Sequence, residues 1–320
     1  MKKKVLVGFD MIDRGFEPLF EHFEVIAPPK GRNFTPAELL ERVPGCEVLC
    51  TTFGQPVDRA LLQAGRQLKL VANYAVGYDN IDIAAAKELG ITVTNAPDSV
   101  ITPTAELAMA LLLAVSRRIA EQDRAMRAER DALTRGFLMR LGLDLAGRTV
   151  GILGYGNIGG AVANRCRAFG MNVLYHKRHR LNPEVERGAG IVYASKEEIL
   201  RTADVISLHT PLTEATHHYI GEAELRMMKP DAILINTARG PVVDEAALVA
   251  ALREKRIFGA GLDVFEHADK PLPELYELDN VVLTPHVGSQ TYGGRVGTAV
   301  EVVNNVLGFV LGDRPIHRVV

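Results

Sequence analysis

The run Gly151-Ile152-Leu153-Gly154-Tyr155-Gly156-Asn157-Ile158-Gly159 sets Gly154, Gly156 and Gly159 in a G-x-G-x-x-G spacing directly behind an apolar segment. In that spacing the first glycine permits a tight turn, the second lets the backbone approach a pyrophosphate, and the third lets a helix pack closely on a strand. A helix opening at Asn157 would aim unsatisfied N–H groups and its positive dipole end at the phosphates. Glycine-rich turns also occur as plain structure. Here the strand-like run before the motif and the amphipathic run Ala161–Phe169 after it favour a dinucleotide site. The next strand candidate ends Tyr175-His176-Lys177-Arg178-His179-Arg180, without the acid that would hold the ribose 2′-hydroxyl of NAD. Lys177 and Arg178, with Arg180 behind them, can pair with a 2′-phosphate. A merely solvated basic loop is the plain alternative. The missing carboxylate makes NADP the favoured cofactor and NAD the second choice.

Such a loop works only at the end of a strand in a parallel sheet, and the chain is patterned for one. Short apolar runs alternate with helical patterns throughout, which argues for helices on both faces of parallel sheets. Strands are expected at Val5–Phe9, Val48–Thr51, Leu68–Asn73 and Ile91–Thr94, with helices around Pro36–Arg42, Asp58–Gln63 and Ile83–Leu89. One long helix is expected from Thr104 to about Arg130, apolar in its first half and charged in its second, with Pro103 suited to its first turn. A second strand set follows at Thr149–Leu153, Val173–Tyr175, Val205–Leu208, Ala232–Asn236 and Val281–Thr284. The last helical pattern, about Gly294 to Val310, is expected to fold back on the first domain.

The 320 residues suit two domains. With 37 basic against 39 acidic residues the net charge is −2, which gives no electrostatic case for nucleic acid or a membrane surface. No stretch is apolar enough for a membrane span, and the run behind Met1-Lys2-Lys3-Lys4 is too short for a signal peptide, so a cytoplasmic protein is expected. Cys46, Cys50 and Cys166 fit neither a disulfide framework nor a closed zinc site, and buried free thiols are the reading. His209, His217 and His218 lack the spacing of a helical metal pair and have no evident ligand acid, so a surface loop and no metal are expected.

Further segments share an order with a known family: Val76-Gly77-Tyr78-Asp79-Asn80-Ile81-Asp82, Pro103-Thr104-Ala105-Glu106-Leu107, Asn236-Thr237-Ala238-Arg239-Gly240, Gly259-Ala260-Gly261-Leu262-Asp263-Val264-Phe265-Glu266 and Thr284-Pro285-His286-Val287-Gly288-Ser289. Together with the glycine loop they resemble the D-isomer-specific 2-hydroxyacid dehydrogenases over nearly the whole chain. The resemblance implies an α/β fold of two Rossmann-like, doubly wound parallel-sheet domains with a cleft between them. Residues 1–101 with 292–320 would bind substrate, and 102–291 would bind the nicotinamide cofactor.

It also implies roles. Arg239 would grip the substrate carboxylate with its fork and polarise the carbonyl. His286 would be the acid–base residue. The backbone of Ala75, Val76 and Gly77 would hold the carboxylate as well. Thr104, Thr210, Pro211, Thr237, Ala238, Asp263 and Gly288 would line the cofactor, beside Gly154, Tyr155, Gly156, Asn157, Ile158 and Gly159.

The chain departs from the pattern twice. Where the family places the glutamate that orients the histidine, this chain has Ala268; Asp269 is expected to take over, with Glu266 the lesser candidate. The charged stretch Arg124–Leu145 carries no tryptophan, leaving Phe137 as its large aromatic, in a region that in the family contributes to a dimer contact. A homodimer is therefore expected. The implied activity is reduction of a small 2-keto acid (glyoxylate, hydroxypyruvate or 2-ketogluconate) to the D-2-hydroxy acid. The alternative is a nucleotide-sensing, corepressor-like binding protein on the same fold.

Overall fold

The structure is a computed structural model that describes residues 2–129, 138–267 and 270–320. The chain separates into two compact units, Met1–Pro103 with Ser289–Val320, and Thr104–Gly288.

The first unit is built on five parallel strands: β1 (Lys4–Val7), β2 (Glu24–Ile26), β3 (Val48–Thr51), β4 (Leu70–Asn73) and β5 (Thr92–Thr94), in the order β2-β1-β3-β4-β5. Successive side chains of a strand point to opposite faces. Val5 and Val7 accordingly pack with Val302, Val303 and Val306 of the helix Tyr292–Leu311, while Leu6 joins Leu39, Leu62 and Ala86 on the other side. Both faces are covered, which is why these strands read as continuous apolar runs.

The second unit carries seven parallel strands: β6 (Thr149–Leu153), β7 (Asn172–His176), β8 (Val192–Tyr193), β9 (Val205–Leu208), β10 (Ile233–Asn236), β11 (Gly259–Leu262) and β12 (Val281–Leu283). Their order is β12-β11-β10-β9-β6-β7-β8. The strand order reverses between β6 and β9, and in open parallel sheets ligands bind at the carboxyl ends of the strands beside that reversal.

Two expectations from sequence need correction. The long helix is two helices, Ile101–Ser116 and Ile119–Glu129, because the chain turns at Arg117-Arg118, where Arg118 takes a left-handed φ of 53°. Strands β2, β8 and β11 are additions to the set expected from sequence. β11 lacks the β-branched residues that mark strands because the helix Ile101–Ser116 lies against it. A Cβ on Gly261 would meet Leu111 Cβ at 2.9 Å, and one on Gly259 would meet Val115 Cγ1 at 2.9 Å. The three cysteines are buried and free, and no helix among the described residues is long and apolar enough to cross a membrane.

Candidate active site

The glycine loop leaves β6 and turns at Gly154 with φ +97°. A Cβ there would stand 2.5 Å from the His209 carbonyl carbon and 2.6 Å from Thr210 N, so the loop packs directly on the chain leaving β9. Gly159 is pressed from the other side, since a Cβ there would collide with Gly154 O. Above Gly156 there is nothing within 4 Å. Gly154 and Gly159 therefore shape the turn, whereas Gly156 keeps a cradle open. The helix Asn157–Ala168 begins here with Gly156 as its N-cap and no side-chain cap, so its first N–H groups remain available to an anion.

At the end of β7 the basic residues divide. Arg180 is committed: its fork binds both oxygens of Glu186 at 2.8 Å, and Tyr175 Oη donates to the same carboxylate at 2.7 Å. The Arg180 guanidinium and then the Tyr175 hydroxyl hold the Glu186 carboxyl down at about 2. Lys177 and Arg178 form no ion pair among the described residues, and no acid stands beside them on the strand end. Of the three cations that the sequence offers, two remain for a phosphate.

Beyond β9, His209 Nε2 lies 2.8 Å from the Ser207 hydroxyl, and burial pushes its imidazole down to about 4, so it is neutral near pH 7. Two hydroxyls at neighbouring strand ends, Thr210 Oγ1 and Thr237 Oγ1, are buried without a hydrogen-bond partner among the described residues. Buried hydroxyls are rarely left unpaired. With the open cradle at Gly156, they fit a polar ligand such as a dinucleotide laid across the ends of β6, β9 and β10.

Arg239 is aimed by its own turn. The buried Asn236 side chain accepts from Ala238 N at 3.0 Å and donates to Arg239 O at 3.0 Å, and Arg239 Nη1 donates to Ala238 O at 2.8 Å. Gly240 allows no side chain, because a Cβ would collide with Phe265 O. His286 is held by Asp263, which is 1% exposed. One Asp263 oxygen accepts from Thr284 Oγ1 at 2.6 Å and Val287 N at 2.8 Å, and the other from Gly288 N at 2.9 Å. His286 N donates to Asp263 O at 2.9 Å. These bonds hold His286 at φ +53°, a left-handed backbone that a non-glycine residue keeps only when its surroundings enforce it. Burial raises the Asp263 carboxyl, against the lowering pull of these donors and of His286. Asp263 N in turn donates to Asn236 O at 2.9 Å, so one buried asparagine and one buried aspartate organise both turns.

Ala268 and Asp269 lie outside the described residues, as does Phe137. Glu266, the lesser candidate for supporting His286, is occupied elsewhere. It lies 2.6 Å from His218 Nε2, and its other oxygen accepts from Glu245 N at 3.2 Å. The loop bearing His217 and His218 thus does have an acid beside it, supplied from β11's far end, which corrects the reading from sequence. Glu245, in the run Val243-Asp244-Glu245 that follows the arginine motif, is 4% exposed, and the sequence assigns it no role. Its carboxylate accepts from Glu266 N at 2.8 Å and Leu272 N at 2.5 Å, clamping both ends of the segment 266–272.

In the first unit the turn Ala75–Gly77 follows β4. Each of its carbonyls is tied back: Ala75 O accepts from Ala96 N at 3.0 Å, Val76 O from Asn95 Nδ2 at 2.8 Å, and Gly77 O from Asn73 Nδ2 at 2.6 Å. Among the described residues no acceptor meets the N–H groups of the turn, which form a nest of donors suited to an anion. The sequence points to Ala75, Val76 and Gly77, but it does not assign the two asparagines the work of setting the turn.

Comparison with known proteins follows the same lines. A family profile described as "D-isomer specific 2-hydroxyacid dehydrogenase, NAD binding domain" matches residues 109–288. A glyoxylate reductase of Thermococcus onnurineus is 46% identical over 318 residues, covering 98% of this chain and 95% of that protein. The chain belongs to the D-isomer-specific 2-hydroxyacid dehydrogenases. As a member it is an oxidoreductase acting on a CH–OH group with a nicotinamide cofactor. Two solved structures similar to this chain hold different nicotinamides. The NADPH-dependent glyoxylate/hydroxypyruvate reductase of Sinorhizobium meliloti, in complex with NADP and malonate, superposes with a TM-score of 0.86 at 32% identity, covering 100% of this chain and 97% of that one. The D-lactate dehydrogenase of Aquifex aeolicus, complexed with NAD and lactic acid, does so at 0.84 and 30%, covering 97% and 96%. The alternative of a nucleotide-sensing scaffold is not favoured by these relatives, which are enzymes.

Proposed function

We propose that the protein is an NADPH-preferring reductase of glyoxylate and hydroxypyruvate, making the D-2-hydroxy acid. The observation that carries the reading is the turn Ala75–Gly77, whose carbonyls are all consumed from behind and whose N–H groups are left to a carboxylate. The glyoxylate reductases among its relatives support the choice of acid, and the acid-free end of β7 with Lys177 and Arg178 supports NADPH.

When bound along Gly154–Gly159, Thr210, Pro211 and Thr237, NADPH supplies the hydride that reduces the 2-keto carbon. Tyr155, Asn157, Ile158, Ala238, Thr104 and Gly288 complete that lining. The turn Ala75–Gly77 and Arg239 hold the substrate carboxylate, and the Arg239 fork also draws electron density from the carbonyl. His286 passes the proton on its ring nitrogen to the carbonyl oxygen, which becomes the 2-hydroxyl. Asp263 holds the His286 turn, and its more open oxygen, bonded to Gly288 N, is the one we assign to the cofactor's amide. Asp269 remains our candidate for supporting His286.

The test is oxidation of NADPH and NADH, followed by absorbance with glyoxylate and hydroxypyruvate. NADPH is expected to be preferred, and Lys177→Ala with Arg178→Ala to cut that preference about 10- to 100-fold, the worth of one or two charge-assisted hydrogen bonds. Oxidation of NADH alone by the unaltered enzyme would sink the cofactor assignment.

We also propose a homodimer that uses the helix Ile119–Glu129 and residues 138–141. Ile119, Met126, Leu138, Met139 and Leu141 are all exposed there, a concentration of apolar surface that monomers seldom leave uncovered. Light scattering should give twice the mass of one 34.9 kDa chain, and Leu138→Lys with Leu141→Lys should lower it. A monomer at micromolar concentration would end the proposal.

A further inference from the structure

The nest at Ala75–Gly77 has a neighbour on the carboxyl edge of the same sheet. β3 and β4 pair in parallel with Thr51 opposite Asn73, and Phe53 lies in the turn that follows β3 as Ala75–Gly77 lies in the one that follows β4. Over Phe53 stands Arg295, its guanidinium 5.9 Å from that ring's centroid and 6.0 Å from the centroid of Tyr74. Tyr74, buried to 6% exposure, donates from its hydroxyl to Arg295 O at 2.5 Å, which ties the residue before the nest to the one bearing the cation.

The placing of this cation runs against helix electrostatics. Arg295 lies at the start of the helix Tyr292–Leu311, whose first turn holds no acidic residue, and a positive charge is disfavoured near a helix N-terminus. No carboxylate among the described residues pairs with its guanidinium. Half-buried, with aromatic faces against it, the fork keeps donors that neither ring can satisfy. Such a group is suited to an oxygen brought by a ligand.

We propose that Arg295 is a specificity-determining residue that donates a hydrogen bond to an oxygen on C3 of the substrate. It would thereby select 2-keto acids with an oxygenated C3, hydroxypyruvate above all, over pyruvate and glyoxylate. The inference rests on the reading of Ala75–Gly77 as the carboxylate site, to which Arg295 is linked through Tyr74, the residue before that turn.

The experiment compares kcat/KM for hydroxypyruvate, pyruvate and glyoxylate, with NADPH saturating, in the unaltered enzyme, Arg295→Met and Arg295→Lys. Pyruvate differs from hydroxypyruvate only by the C3 oxygen, so the pair isolates the proposed bond. Arg295→Met is expected to lower hydroxypyruvate reduction about 10- to 100-fold while pyruvate and glyoxylate change by less than about 3-fold. Arg295→Lys should restore part of the difference. A uniform loss on all three acids, or a lowered melting temperature with no change in their ratio, would make Arg295 structural and overturn the proposal. If Arg295→Met does not fold, the hydroxypyruvate-to-pyruvate ratio of Arg295→Lys decides, and an unchanged ratio overturns it. An unaltered enzyme that turns over none of the three acids would overturn the reductase reading beneath it as well, a result distinct from turnover with an unmoved ratio.

Discussion

Replacing His286 with alanine is expected to lower kcat by about 10²- to 10⁴-fold, the range that a positioned acid–base group contributes. Melting temperature and NADPH affinity should stay close to those of the unaltered enzyme. The turn that carries His286 is held through backbone groups and the Asp263 carboxylate: Thr284 Oγ1, Val287 N and Gly288 N all donate to Asp263, and none of these bonds uses the imidazole. The ring can therefore go while the turn remains. Steady-state kinetics with glyoxylate across pH, beside fluorescence titration with NADPH, would check this. The bend that an imidazole imposes on the pH–rate profile should vanish with the ring. A kcat within about 3-fold of the unaltered enzyme would remove His286 from the reaction.

The second large effect belongs to Arg239. Arg239→Lys keeps the charge and loses the planar fork, and a decrease in kcat/KM of about 10²- to 10³-fold is expected, shared between KM and kcat. The division follows from the two tasks assigned to the residue. Holding the carboxylate affects the ground and transition states alike, whereas polarising the carbonyl counts more as the oxygen gains charge. Asn236 and Gly240 set the arginine's backbone independently of its side chain, so the loss should come without unfolding. Were lysine to restore full activity, a point charge would suffice and the fork would have no part in the reaction.

Much of this site is legible in the amino-acid sequence. The glycine spacing is a local property: three residues of a fixed type, at fixed offsets, between a strand and a helix. Gly154 with its φ of +97° and Gly159 against Gly154 O do in space what that spacing demands. Apolar continuity likewise locates β3, β6 and β9 at their observed limits, because strands buried on both faces leave no polar alternation to interpret. Where packing changes the composition of an element, pattern fails. β11 carries glycines because a helix lies on it, and β8 is only Val192–Tyr193, too short to show a period.

Sequence by itself determined the family and the parallel α/β plan, and it supplied Gly154–Gly159, Arg239 and His286 as the candidate site residues, since each depends on residue type and short-range spacing. Tertiary structure decided which polar groups are already spent. Arg180 reads from sequence as a phosphate ligand like Lys177 and Arg178, yet Glu186 takes its fork. Glu266 reads as the lesser candidate, after Asp269, for supporting His286, yet it meets His218, forty-eight positions earlier in the chain. Asn73 and Asn95 take the carbonyls of Gly77 and Val76, as the backbone of Ala96 takes that of Ala75. The physical reason is the same in each case. A hydrogen-bonding side chain is committed by whichever partner the folded backbone brings within about 3 Å, four positions away for Asn73 and Gly77 or forty-eight for Glu266 and His218, and residue type alone does not encode that choice.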